Sequence, residues 1–222
     1  MKKKECIVLL SGGLDSTVLT HYVMRRRDRM PIALSFNYGQ RHKKELNLAR
    51  QTAKKLGIKH KIIKIPLDKL FDNSALLDKK TKMPGEHYTH KNQRVTVVPN
   101  RNMIMLSFAI GLAENLKISE VYYAAHKNDH AIYPDCRPAF LNPMNKASMH
   151  ATYSCVQVLA PFINKTKKDL VGIGYKLDID FLTTWSCYEG KKFACGTCAT
   201  CQERLEAFHK NKLMDPLEYE IQ

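Results

Sequence analysis

No apolar run in this sequence is long enough to cross a bilayer. The longest, residues 103–113, spans 11 residues and includes Ser107 and Gly111, whereas a spanning helix needs about 20. The run at residues 6–10 is shorter than a secretion leader requires, and no small-residue cleavage site follows it. Neither anchor nor leader is therefore expected, and the cytoplasm is the expected location. Internal repeats, low-complexity segments and linkers are missing, which excludes solenoid, collagen-like and disordered classes. No block of five consecutive basic residues occurs, so no dedicated basic arm is expected. The pattern GxxxxGK[ST] is absent, which removes the Walker-type phosphate loop. Acidic residues are scarce: 21 Asp and Glu face 36 Lys and Arg, a formal net charge of +15. That field favours anionic partners such as nucleotides or nucleic acid, although a lysine-rich solvated surface gives the same number.

With 222 residues, 44% of them hydrophobic, the chain can build a full core without disulfide staples. Residues 6–10 and 32–36 read as buried strands and residues 61–65 as a third strand, separated by a helix at 17–27 and an amphipathic helix at 40–56. Residues 66–99 give only a weak, polar signal and are expected to cross over the sheet. A core helix at 101–116 follows, then a strand at 120–125 and a loop at 126–138. A weak helix to about residue 150, a strand at 156–160 and helices at 165–177 and 202–209 complete the pattern. Strands alternating with helices predict an α/β fold, a doubly wound parallel sheet of Rossmann-like type. Its expected extent is residues 1–180, with a small zinc-binding lobe over 181–222. Cys6 and Cys155 read as small apolar residues of buried strands.

Five segments carry candidate chemistry. Residues 11–16, Ser-Gly-Gly-Leu-Asp-Ser, join the first strand to the first helix. The glycine pair lets successive N–H groups turn toward one point, and the helix start adds its dipole, together an anion nest. The hydroxyls of Ser11, Ser16 and Thr17 can donate to phosphate, and Asp15 can hold a magnesium ion. Taken alone, a glycine pair after a strand is also an ordinary tight turn. Cys187, Cys195, Cys198 and Cys201 fall within 15 residues, a spacing suited to a closed structural zinc site. An iron–sulfur cluster, a redox pair or free buried thiols remain alternatives. Residues 133–138, Tyr-Pro-Asp-Cys-Arg-Pro, present Asp135 for the donor edge of a guanine-like base and Arg137 for a carboxylate; a stiff surface turn is the plainer reading. Arg101 opens a helix against its dipole, so a ligand or carboxylate must compensate; a plain polar cap, which asparagine can supply, is the other reading. Residues 165–169 likewise place lysines at a helix start, where phosphate charge would justify Lys167; a solvated basic turn is the other reading. His126 and His130 read as loop contacts rather than metal ligands, and Trp185 as packing.

The loop at residues 11–16 resembles the SGGxDS loop of the N-type ATP pyrophosphatases, which adenylate a substrate oxygen and release pyrophosphate. With it, SFNYGQRHKKEL, VPNRNM, NDHAIYPDCRP, APFINKTKKDLV, TTWSCYEG and CGTCATCQERLEAF resemble, in order, the 7-cyano-7-deazaguanine synthases (QueC or ExsB family). Two positions depart from that pattern: Ala139 stands where an acidic residue is common, and Ala199 where glycine is. The resemblance implies an adenine-nucleotide alpha-hydrolase fold and a ligase of queuosine biosynthesis. Its substrates would be ATP, 7-carboxy-7-deazaguanine and ammonia, with Mg²⁺ accompanying ATP, structural Zn²⁺ in the lobe, and a homodimer. It implies ATP contacts from Leu10, Ser11, Gly12, Gly13, Leu14, Asp15, Ser16 and Thr17, and adenine contacts from Leu34, Ser35 and Phe36. Catalytic roles fall to Asp15, Ser16 and Lys167, and substrate binding to Arg101, Asp135 and Arg137. Competing readings are a tRNA sulfurtransferase sharing the loop, a non-catalytic nucleotide or RNA sensor, and a variant that stops at the amide.

Overall fold

A computed structural model describes residues 3–41, 43–71, 74–78 and 91–220. His42 and residues 79–90, part of the expected crossover, lie outside the described residues. The sheet has five strands, β1 (Lys4–Leu9), β2 (Arg29–Asn37), β3 (His60–Lys64), β4 (Glu120–Tyr122) and β5 (Gln157–Leu159). They run in the order β3-β2-β1-β4-β5 with every pair parallel. Cys6, Ile7 and Val8 of β1 are all fully buried, because alternate side chains enter different cores. Cys6 and Val8 pack with helices α1 (Leu14–Arg26), α5 (Lys167–Lys176) and α6 (Ala199–His209). Ile7 joins Leu106 and Met144 of α3 (Arg101–Asn115) and α4 (Pro138–Ala151) on the opposite face. Helix α2 (Lys44–Lys55) lays Ala49 and Ala53 on Ala33 of β2, on the same side as α1. Helices on both faces make the sheet doubly wound. From β1 the chain crosses to β2 on one side and later to β4 on the other, so the crevice beyond the carboxyl end of β1 is a topological switch point, the usual ligand position in such sheets.

Several boundaries differ from the sequence reading for local reasons. Helix α1 begins at Leu14, not residue 17, because Gly13 O already accepts from Thr17 N at 3.1 Å. Helix α2 begins at Lys44, not residue 40: Gly39 has φ +82° and the Gln40 side chain accepts from Tyr38 N at 2.8 Å, which holds a turn. Cys155 is not inside a strand; it is exposed in the turn before β5, with φ +47°. The core helix α3 buries Met105, Leu106, Ala109, Ile110 and Ala113, but Met103 and Phe108 are exposed. Residues Gln93–Asn115 are apolar enough for a membrane span by composition. Only α3, 15 residues or about 22 Å at 1.5 Å per residue, is α-helical, well short of a ~30 Å hydrocarbon core.

Candidate functional site

A cavity of about 260 Å³ opens at that switch point. Its floor is the turn after β1. Gly12 has φ +91°, and any side-chain carbon there would lie 2.0 Å from Glu45 O, so only glycine fits. The loop holds its own shape: Ser16 Oγ accepts from Ser11 N at 3.1 Å and meets Ser11 Oγ at 2.9 Å, while Gly13 N donates to Ser11 Oγ at 3.2 Å. Its entrance is tied down by Ser35, whose hydroxyl donates to Leu10 O and lies 2.7 Å from His60 Nε2. Leu10, Ser11, Gly13, Leu14, Asp15, Ser16, Leu34, Ser35 and Phe36 all line the cavity. Gly12 forms the turn beneath it, and Thr17 is buried in α1 with its hydroxyl unpartnered.

Behind the loop lies a buried charge cluster. Lys167 Nζ donates to Asp15 Oδ2 at 2.7 Å and stands 3.4 Å from Glu203 Oε2. His126 Nε2 is 3.5 Å from both Asp15 Oδ2 and Asp129 Oδ2. Burial alone would raise the Asp15 pKa, but Lys167 and His126 outweigh it and hold the carboxyl well below its usual range. Burial works against charge on Lys167 too, yet Asp15, Glu203 and Asp129 raise its pKa. Against burial, Asp129 and Asp15 raise His126 to about 9. Lys167 can reach this point because Thr166 caps α5 and forms a reciprocal box with Asp169, placing Lys167 in the first turn. Asp15 Oδ1 and both Glu203 oxygens are buried without a hydrogen bond. Unused carboxylate oxygens beside a phosphate-type loop are the hard donors that a Mg²⁺ ion takes, so Asp15, with Glu203 alongside, fits that ion.

The opposite end of the cavity is aromatic. Arg101 Nη1 donates to Tyr38 Oη at 3.3 Å, and Tyr133 and Tyr188 share the wall, whereas Trp185 lies against the loop. Asp135 and Arg137 are not among the residues lining it. Asp135 Oδ2 accepts from Asn102 N at 2.8 Å, supplying the carboxylate that the start of α3 requires. Exposed Arg137 donates from Nε to His130 O at 2.7 Å, and Ala139 is exposed next to it.

The four cysteines are all buried, with every sulfur within 4.8 Å of the others and Cys195 Sγ 4.0 Å from Cys201 Sγ. A single ion about 2.3 Å from each thiolate requires sulfurs roughly 3.8 Å apart, so the group fits one tetrahedral metal. Cys187 Sγ accepts backbone N–H groups from Glu189 and Cys195, both at 3.4 Å, as metal thiolates do. The chain leading into the cysteines reaches the cavity through Trp185, whose N donates to Gly12 O at 3.1 Å. Helix α6, which carries Cys201 and Glu203, reaches it too. Buried Arg204 forks onto Asp215 at 2.7 and 3.0 Å and pins the C-terminal segment to that helix.

Sequence reasoning passed over Glu45 and Glu203, and took His126 for a loop contact rather than a member of this charge cluster. A carboxylate two residues beyond a cysteine ligand, and a His-x-x-Asp pair after a strand, were the available signals.

The family model "Queuosine biosynthesis protein QueC" matches residues 5–212. A 7-cyano-7-deazaguanine synthase of Pseudoalteromonas translucida is 48% identical over 98% of this chain and 99% of its own length. One from Hahella chejuensis is 50% identical over 96% and 92%, and one from Caldicellulosiruptor saccharolyticus 44% over 97% and 96%. Among solved structures, a predicted tRNA methyltransferase subunit of Methanocaldococcus jannaschii aligns with TM-score 0.50 and 20% identity, over 78% of this chain and 74% of that one. The NMN synthetase of Francisella tularensis aligns with TM-score 0.51 and 12% identity over 96% and 78%. These two share the fold.

Proposed function

Since this chain belongs to the QueC family and is an enzyme of queuosine biosynthesis, we propose that it converts 7-carboxy-7-deazaguanine and ammonia to 7-cyano-7-deazaguanine at the expense of ATP. The observation that carries this reading is the preformed loop at residues 11–16 facing the buried Lys167–Asp15 pair in one cavity. The substrate carboxylate attacks the α-phosphorus of ATP and pyrophosphate leaves. Main-chain N–H groups of the loop, the start of α1 and the Lys167 ammonium meet the departing charge, and preorganised donors of this kind are commonly the largest catalytic contribution. Ammonia then displaces AMP to give the amide. A second ATP activates the amide oxygen, and loss of AMP and a proton leaves the nitrile. Leu34, Ser35 and Phe36 border the adenine, and Arg101 pairs with the substrate carboxylate.

A Mg²⁺ ion held by Asp15 would neutralise phosphate charge during the transfer. A Zn²⁺ ion held by Cys187, Cys195, Cys198 and Cys201 would be structural, tying residues 181–222 over the cavity mouth. The enzyme works in the cytoplasm, where its thiols stay reduced, and as a homodimer, with the outward apolar face of α3 as the surface to be covered. Nucleic acid is not part of the reading.

Incubation with 7-carboxy-7-deazaguanine, ATP, Mg²⁺ and ammonium, followed by mass spectrometry, tests it. The nitrile with AMP and pyrophosphate is expected. Amide alone would restrict the activity to the first half, and no substrate-dependent AMP would overturn the reading.

A further inference from the structure

Glu45 is the one acidic side chain lining the cavity that stands apart from the Lys167 cluster. It sits in the first turn of α2, and its carboxylate has no ion pair or hydrogen bond among the described residues. A side-chain carbon built on Gly13 would lie 3.7 Å from Glu45 Oε1, 3.5 Å from Trp185 O and 3.3 Å from Ser11 Oγ. Three oxygens from three separate segments thus surround the bare face of one loop glycine. Arg101 and Asp15 act on Glu45 from α3 and α1, and Glu45 in turn acts on Tyr38. The carboxylate therefore lies between the phosphate loop and the aromatic end, where the new acyl–phosphate bond must form. Both joined groups are anions, so an unpaired carboxylate there repels them unless a small cation comes between. Asp15, with Glu203 alongside, already offers buried carboxylate oxygens to a magnesium ion, which leaves Glu45 for a different small cation. Ammonium, with four N–H donors, can donate to the Glu45 carboxylate and to an oxygen close to it such as Trp185 O.

Building on the function proposed above, we propose that Glu45 binds the incoming ammonium ion beside Gly13 and takes its proton. One N–H bond breaks and the proton passes to the carboxylate. The freed nitrogen lone pair forms the C–N bond, the acyl C–O bond breaks, and AMP leaves with that electron pair. The nitrogen's second surplus proton goes to solvent, and Glu45 releases its own before the next turnover. Burial, opposed by Arg101, pushes Glu45 up to about 7, a proton affinity suited to a base at neutral pH.

The test compares wild type with Glu45→Gln and Glu45→Asp, using ammonium or hydroxylamine as nucleophile; hydroxylamine is largely unprotonated at neutral pH and needs no base. Substrate-dependent ATP–pyrophosphate exchange is followed in parallel. For Glu45→Gln, the ratio of ammonium to hydroxylamine turnover should fall about 100-fold. The Asp variant should recover part of it, and circular dichroism of all three proteins checks folding. An unchanged ratio overturns the proposal, as do equal losses with both nucleophiles or a loss reversed by extra Mg²⁺. Should Glu45→Gln not fold, the Asp variant decides by the same ratio. Wild type without substrate-dependent exchange would instead remove the function reading itself, and this inference with it.

Discussion

At the scale of single residues, the site is governed by which charges are buried together. Asp15 serves the loop and also holds Lys167 charged. Asp15→Asn should lower turnover about 100-fold or more, while Glu203 keeps a partner beside Lys167 and the fold persists; wild-type-like single-turnover rates would refute the assignment. Glu45 makes a separate prediction about pH. Burial pushes its carboxyl up to about 7 in the folded chain, from an ordinary value of 4.5. Between those values the folded state holds a proton that the unfolded chain has released, so stability falls as pH rises. Glu45→Gln removes that dependence, and its melting temperature should gain on wild type from pH 5 to pH 8. The gain is bounded by about 3 kcal/mol at 1.36 kcal/mol per pH unit. A constant difference across that window would show that Glu45 is solvated.

At the scale of elements, the four-cysteine knuckle and the Lys167–Asp15 pair are joined by one helix. Cys201 and Glu203 lie two residues apart on α6, so the fold of the knuckle sets where Glu203 meets Lys167. Cys198→Ser should therefore lose stoichiometric metal, read by elemental mass spectrometry, and should lose activity with it. A deficit of about 3 kcal/mol would lower the melting temperature by roughly 10 °C at this chain length. Retained metal with unchanged melting would refute a structural ion. The same scale explains Asp135. Its carboxylate caps α3 from 33 residues away, a pairing that no local cap signal announces, since Asn100 in its left-handed conformation makes no side-chain cap.

At the scale of the whole molecule, α3 carries Met103, Ser107, Phe108 and Gly111 outward. Phe108 is 45% exposed and its ring contacts Phe36 at the cavity wall, with centroids 6.2 Å apart. In the proposed homodimer, Phe108→Glu should place a charge at the shared face and give a monomer by light scattering. A monomeric wild type, or a variant that stays dimeric, would move the interface elsewhere.

The strand–helix alternation, the loop at residues 11–16 and the four-cysteine group are legible in the order of residues, because each rests on local chemistry: burial periodicity, turn-forming glycines and closely spaced thiols. Which distant charges meet is settled by packing. Asp15 and Lys167 are 152 residues apart and touch at 2.7 Å, and Glu45 faces Gly13 because α2 folds back over the loop. Packing also directs Asp135 to a helix end and Arg137 to the surface. Strand periodicity reports which face a residue takes, whereas the partner across the switch point depends on how β1 and β4 come together, and that is a property of packing.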